Sequence, residues 1–180
     1  MRILKDDALL VVVDVQEKLF PHMTNNQALS DKLVQLIKGI YLLEIPVLVT
    51  EQYVKGLGPT IPALLEVLGD TQRLEKLSFS CHDDPAFKQA VKDSGKKVIL
   101  VCGIESHVCI QQTLLDLQED GYIPVLIVDA VTSRKPSDMK ISLKRIQQEG
   151  IRMASVESIL FELTRYAGTD TFRSLSKLVK

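Results

Sequence analysis

Three side chains far apart in the chain carry complementary chemistry: the carboxylate of Asp14, the ammonium of Lys76 and the thiol of Cys109. A thiol becomes a nucleophile on losing its proton. A carboxylate can accept that proton while an ammonium steadies the sulfur anion. Such an anion attacks an electrophilic carbon, and backbone amides in the turn before a helix can hold the oxyanion that develops. Cys109 stands in Val101-Cys102-Gly103-Ile104-Glu105-Ser106-His107-Val108-Cys109-Ile110, just after the apolar run Val98–Val101. That run reads as a buried strand ending at a glycine. Ser106 offers an N-cap for the amphipathic stretch that follows, which places Cys109 in the first turn of a helix. The positive end of that helix favours an anion, so the thiol is expected to ionise more readily than a free one.

Taken singly, each residue has a plainer reading. Asp14 suits a cap or turn, Lys76 a solvated position after an edge strand, and Cys109 a small core residue, since free cysteine is often buried and inert. Together they are much more specific.

Short β-branched runs alternate with helical patterns and supply the positioning. Ala8–Val13 is continuously apolar, as in a strand covered on both faces. Leu33, Leu36, Ile37, Ile40 and Tyr41 mark an amphipathic helix closed by Pro46, and Val47–Thr50 reads as a second strand. Residues 53–62 hold two glycines and two prolines and read as a loop. A short extended piece spans Gln72–Lys76, and Asp84-Pro85 reads as cap and first position of a helix to about Ser94. Lys97–Cys102 is a strand, the Cys109 helix ends near Gly121, and Pro124–Asp129 is a further strand. A helix over 138–149 stops at Gly150, Ile151–Val156 is the last strand, and one or two short helices fill the C-terminus.

This alternation predicts an α/β fold: one three-layer α-β-α domain over 1–180 with a mainly parallel, Rossmann-like central sheet. Ligands of such sheets collect outside the carboxyl ends of the strands. Asp14, Thr50-Glu51, Lys76, Gly103-Ile104 and Asp129 all fall there.

Composition narrows the class. With 180 residues, 46% hydrophobic and 25% charged, the chain has enough material for a full core. A net charge of −1, with scattered lysines and arginines, argues against a general nucleic-acid binder. No signal-peptide pattern and no bilayer-length apolar stretch occurs, so no membrane association is expected. Three cysteines are an odd, sparse set that suits a reducing, cytoplasmic compartment, with an organelle signal left open.

The chain resembles the isochorismatase-like cysteine hydrolase superfamily over nearly its whole length. The anchors are Asp14-Val15-Gln16 after the first strand, Lys76 after the third, and Gly103–Ile110 at the fourth. The resemblance implies a catalytic triad of Asp14, Lys76 and Cys109. It implies a cis peptide between Ile104 and Glu105, which turns the amides of Glu105 and Cys109 toward an oxyanion. Gln16, Phe20, Gln52, Tyr53 and Ile104 are implied as pocket residues, although Phe20 serves equally well as core packing. A homo-oligomer is also implied, since the pocket in this family is often completed by a neighbouring subunit. The apolar C-terminal segment (Phe172, Leu175, Leu178, Val179) is a candidate interface, or a helix packed on its own sheet.

Departures from the family pattern restrict the chemistry. Metal-dependent nicotinamidases carry an Asp-x-His and a second histidine after the second strand. Here that region reads Thr50-Glu51-Gln52-Tyr53-Val54-Lys55-Gly56. His22, His82 and His107 have no ligand spacing, so neither a metal nor another cofactor is expected. His107 precedes Cys109 by two residues, roughly 200° around a helix, and points away from the thiol. No G-x-G-x-x-G or Walker-type loop follows the first strand, and no C-x-x-C pairs the thiols. Cys81 reads as a packed residue near the pocket mouth. The expected activity is hydrolysis of a small amide, or a related C–N or ester bond, through a thioester. The alternatives are a vinyl-ether hydrolase of the isochorismatase type, or a binding or scaffold protein that retains the pocket without turnover.

Overall fold

Strands β1 (Ala8–Val13) and β4 (Val98–Ile104) are apolar without interruption, and every residue in both is buried. The computed structural model, which describes residues 1–180, places them side by side at the centre of a six-stranded sheet. The other strands are β2 (Val47–Gln52), β3 (Arg73–Lys76), β5 (Ile123–Thr132) and β6 (Arg152–Ala154). The order is β3-β2-β1-β4-β5-β6, and every pairing is parallel.

Continuous apolar runs are needed because alternate residues feed two cores. Ala8, Leu10 and Val12 join a cluster of 29 buried residues with α1 (Asn26–Leu42), α3 (Pro62–Leu68), α7 (Val156–Thr164) and α8 (Asp170–Leu178). Leu9, Val11 and Val13 join a cluster of 16 on the other face, with α4 (Pro85–Ser94), α5 (Gln111–Glu119) and α6 (Pro136–Gln148).

Local chemistry sets the helix ends. The Asp84 carboxylate accepts from the amides of Ala86 at 2.9 Å and Phe87 at 3.0 Å, with Pro85 in the first helical position, as the sequence predicts. The 53–62 loop differs: it contains a one-turn helix, α2 (Val54–Leu57), and α3 begins at its last residue. Pro62 in the first position and the buried pair Leu64 and Leu68, four residues apart, are the signals for α3.

Ser106 is not the cap expected of it. Glu105 occupies the cap position without a side-chain bond, and Ser106–Ile110 forms a π-helical turn leading into α5. The buried Ser106 hydroxyl instead meets Ser142 of α6 at 3.2 Å. The C-terminal segment packs within its own chain, with α8 against α1 and α7. Leu175 is fully buried in the larger core, Leu178 and Val179 lie against it, and Phe172 meets Phe161 with ring centroids 5.9 Å apart. Burying one such side chain stabilises by about 1.5–3 kcal/mol, so α8 already uses its apolar side within the chain.

Gly103 carries a constraint that sets the site. Its φ of +116° lies in the region L side chains avoid, and an added Cβ would collide with the backbone of Val13, its register partner on β1. Gly103→Ala is expected to force β4 away from β1 and to destabilise by about 3 kcal/mol or more. Urea unfolding measures this; an unchanged midpoint would contradict so close an approach.

Candidate active site

The close β1–β4 contact lies directly beneath three buried functional groups. After Val13 the chain turns through a left-handed conformation at Asp14 (φ 52°), whose amide donates to the Thr50 carbonyl at 3.1 Å. This turn tucks the carboxylate under the neighbouring strand ends, and Asp14 is 1% exposed. Lys76 is the last residue of β3, and its ammonium reaches back across the end of β2. Nζ lies 2.7 Å from Asp14 Oδ2, 2.6 Å from Gln52 Oε1 and 3.8 Å from Cys109 Sγ. The carbonyls of Ser78 and Phe79 accept from it at 3.0 and 3.3 Å. Cys109 approaches from the β4 side in the π turn and is 7% exposed. The three groups predicted to act together thus share one location.

Burial by itself pulls the Lys76 ammonium down. The Asp14 carboxylate, with Cys81 and Cys109, outweighs it and holds the ammonium above its ordinary 10.5. The Cys109 thiol moves opposite to the sequence expectation. Burial, then the Asp14 charge, push it up, and Lys76 only partly counters them. The helix end is a weaker influence than desolvation of a nearly enclosed sulfur. The resting sulfur keeps its proton.

The other thiols are buried as well: Cys81 is pushed up to about 12, and burial also raises Cys102. Above the ordinary thiol value of 9.0 the unfolded chain sheds these protons while the folded chain retains them. Stability is therefore full below pH 9.0 and is lost as pH rises toward the folded values. The expected slope is about 1.4 kcal/mol per pH unit per thiol. Lys76 acts in the same direction above 10.5. Melting temperatures at increasing alkaline pH should fall steeply, and less steeply for Cys102→Val; a flat profile would contradict this burial.

The Ile104–Glu105 peptide is cis, as the resemblance implies. The Glu105 amide meets no acceptor within the chain. The Glu105 carboxylate accepts from the Arg134 backbone amide at 3.0 Å and from Arg134 Nε at 3.1 Å, which anchors the turn. Arg134 has no sequence signal, because the bend after β5 delivers it.

The implied pocket residues divide. Gln16 is fully buried; its Nε2 donates to the carbonyls of Gln52 at 2.9 Å and Gly58 at 2.7 Å, and its Oε1 accepts from the Gln52 amide. With both amide protons committed, Gln16 clamps the loop and has no donor left for a ligand. Gln52 supports Lys76, and its Nε2 donates to the Leu77 carbonyl at 2.8 Å. The Ile104 side chain and Phe20 pack in the larger core, so Ile104 offers the site only its backbone. Tyr53 is exposed, and its amide donates to the Lys76 carbonyl at 3.0 Å, next in the chain to the exposed Leu77. Cys81 lies fully buried in contact with Thr50 and not at the mouth. A cavity of about 590 Å³ opens beside Lys76, lined by Leu77, Ser78, Asp83 and Asp84 among others. Another of about 550 Å³, between α1, β5 and α6, contains none of the three groups.

The histidines stand apart. His82 bonds Asp120 at 2.8 Å, and His107 Nδ1 lies 2.9 Å from Ser133 Oγ. No group of three or more His, Cys, Asp or Glu side chains has a metal-holding arrangement.

The isochorismatase domain pattern matches residues 8–158. The chain belongs to the isochorismatase family. Isochorismatase domain-containing protein 2 of Bos taurus is 35% identical over 181 residues, covering 99% of this chain and 86% of that protein. A secreted isochorismatase effector of Phytophthora sojae is 34% identical over 183 residues, covering 99% and 87%. Among solved structures, the MAR1 ribonuclease of Caenorhabditis elegans matches with a TM-score of 0.93 at 33% identity, covering 99% and 92%. This isochorismatase-family chain shares their α/β architecture, and none of its helices is long and apolar enough to cross a membrane.

Proposed function

We propose that this isochorismatase-family chain is a single-domain cysteine hydrolase that cleaves a small amide, or a related C–N or ester bond, through a thioester on Cys109. One observation supports the reading above others: Lys76 Nζ sits 2.7 Å from Asp14 Oδ2 and 3.8 Å from Cys109 Sγ, with both charged side chains 1% exposed. A buried carboxylate and ammonium cost too much to gather without a task or a compensating gain in packing.

The Cys109 proton passes to Asp14 as sulfur bonds the carbonyl carbon, so the thiolate need not exist beforehand. The oxyanion takes the amides of Glu105 and Cys109. Its collapse breaks the C–N bond, and the leaving amine takes the proton from Asp14. A water then loses a proton to Asp14 and attacks the thioester, releasing the acid and restoring the thiol. Lys76 stays charged and offsets the negative charge on sulfur or Asp14 throughout. No step requires a metal or cofactor.

The ribonuclease name of the Caenorhabditis elegans relative raises phosphodiester cleavage, which a net charge of −1 and an enclosed sulfur do not favour. Three buried, unpaired cysteines support a reducing compartment such as the cytoplasm, although one relative is named a secreted effector. A homo-oligomer is part of the reading. With α8 committed to its own core, Leu77 at 74% exposure and Phe79 at 59% make the site rim the better candidate interface.

A panel of small primary amides assayed for ammonia release tests this function. At least one is expected to turn over and to lose turnover in Cys109→Ala. RNA cleavage with every amide inert, or turnover that survives Cys109→Ala, would overturn it.

A further inference from the structure

We infer that Thr50 and Cys81 are positioning residues that hold the Asp14 carboxylate in the orientation in which it receives the Cys109 proton, a role that rests on the hydrolase reading. Thr50 grips Asp14 twice. Its carbonyl accepts the Asp14 amide at 3.1 Å, and its hydroxyl donates to Asp14 Oδ1 at 2.8 Å. Oδ2 belongs to Lys76 at 2.7 Å. The carboxylate is thus held at both oxygens.

The directions in this network follow from proton counting. A threonine hydroxyl has one proton, and an ionised carboxylate only accepts, so the Thr50 proton is committed to Asp14. Cys81 Sγ, 3.6 Å from Thr50 Oγ1, must then be the donor in that contact. Its burial suits the role, since a thiol held as S–H across neutral pH always offers that proton. Cys81 is itself anchored: its amide donates to Thr113 Oγ1 at 2.8 Å. Thr113 follows Cys109 by four residues, one helical turn further along the same face.

A closed ring results, running from Cys109 through its helix to Thr113, to Cys81, to Thr50, to Asp14, and through Lys76 back to the Cys109 sulfur. Thr50, Cys81 and Thr113 are all fully buried, so no water substitutes for a lost link. The ring ties the helix that carries the nucleophile to the strand that carries its base. Cys81, the second thiol of the site, acts as a neutral donor and not as a second nucleophile.

The test is the rate of iodoacetamide alkylation of Cys109 from acid to neutral pH, mapped by peptide mass spectrometry, with circular dichroism to confirm folding. Wild-type protein should label Cys109 ahead of Cys81 and Cys102. Thr50→Val, of equal shape but without the donor, should slow labelling at neutral pH about tenfold or more, because a carboxylate free to turn is seldom aimed at the sulfur and a misplacement of about 1 Å can cost 10²-fold. Thr50→Ser should restore the rate, and Cys81→Ala should give a smaller slowing. A Thr50→Val protein that melts lower but keeps the wild-type rate would show a merely structural threonine and overturn the inference while leaving the hydrolase reading intact. Failure of Thr50→Ser to rescue would also overturn it. If wild-type Cys109 labels no faster than the buried Cys102, the hydrolase reading falls and takes this inference with it.

Discussion

Cys109→Ala is expected to abolish turnover while unfolding at nearly the wild-type urea concentration. Asp14→Asn should abolish turnover as well. Each should cost at least about 10³-fold in rate, the lower end for a lost nucleophile or the group that serves it. Cys109 is 7% exposed and burial raises its thiol, so little thiolate stands ready. On the proposed mechanism, attack requires Asp14 to take the proton in the same step, which an amide in its place cannot do. Cys109→Ser should be nearly as inactive, because a hydroxyl gives up its proton less readily than a thiol. Steady-state hydrolysis of whichever amide the wild-type enzyme cleaves measures all three. Substantial activity surviving in both Cys109→Ser and Asp14→Asn would refute the triad.

The second large effect concerns stability and separates Asp14 from Cys109. Asp14 and Lys76 form an ion pair with both side chains 1% exposed. Asp14→Asn leaves the Lys76 ammonium buried among neutral oxygens from Gln52, Ser78 and Phe79. Lys76→Met leaves a buried carboxylate with Thr50 as its remaining short donor. Removing one partner of a buried pair destabilises by about 3–5 kcal/mol, because the surviving charge has no counter-ion. Removing both deletes the desolvation cost together with the attraction. The double variant Asp14→Asn/Lys76→Met is therefore expected to be more stable than either single variant. Urea unfolding of the four proteins gives the coupling directly. Strictly additive losses would mean that the two charges do not depend on each other.

The groups legible in the sequence are those whose position follows from strand ends. Asp14 and Lys76 each follow a strand pattern, Gly103-Ile104 marks the end of β4, and parallel α/β topology sends all of them to one edge. Their supporting partners were not legible. Thr50 meets Asp14 because β1 and β2 pair Val13 with Thr50. Arg134 reaches Glu105, and Ser142 captures Ser106, only after β5 and α6 have packed. Register and helix docking leave no periodic mark of their own. The ionisation of Cys109 was misread for a related reason. The helix terminus is visible in the sequence, whereas the burial that outweighs it belongs to the assembled site. Gln16 shows the same limit: its residue type suits a ligand contact, but the loop around Gly58 consumes both of its donors.

On the proposed mechanism, a sulfur whose proton is removed during attack, by Asp14 beside Lys76, becomes covalently acylated. Rapid quenching with p-nitrophenyl acetate, followed by intact-protein and peptide mass spectrometry, tests it most directly. The expected result is one acetyl group per chain on Cys109, formed in a burst and absent from Asp14→Asn. Ester hydrolysis that proceeds while Cys109 stays unmodified, or acetylation of Cys109 that is as fast without the Asp14 carboxylate, would contradict it.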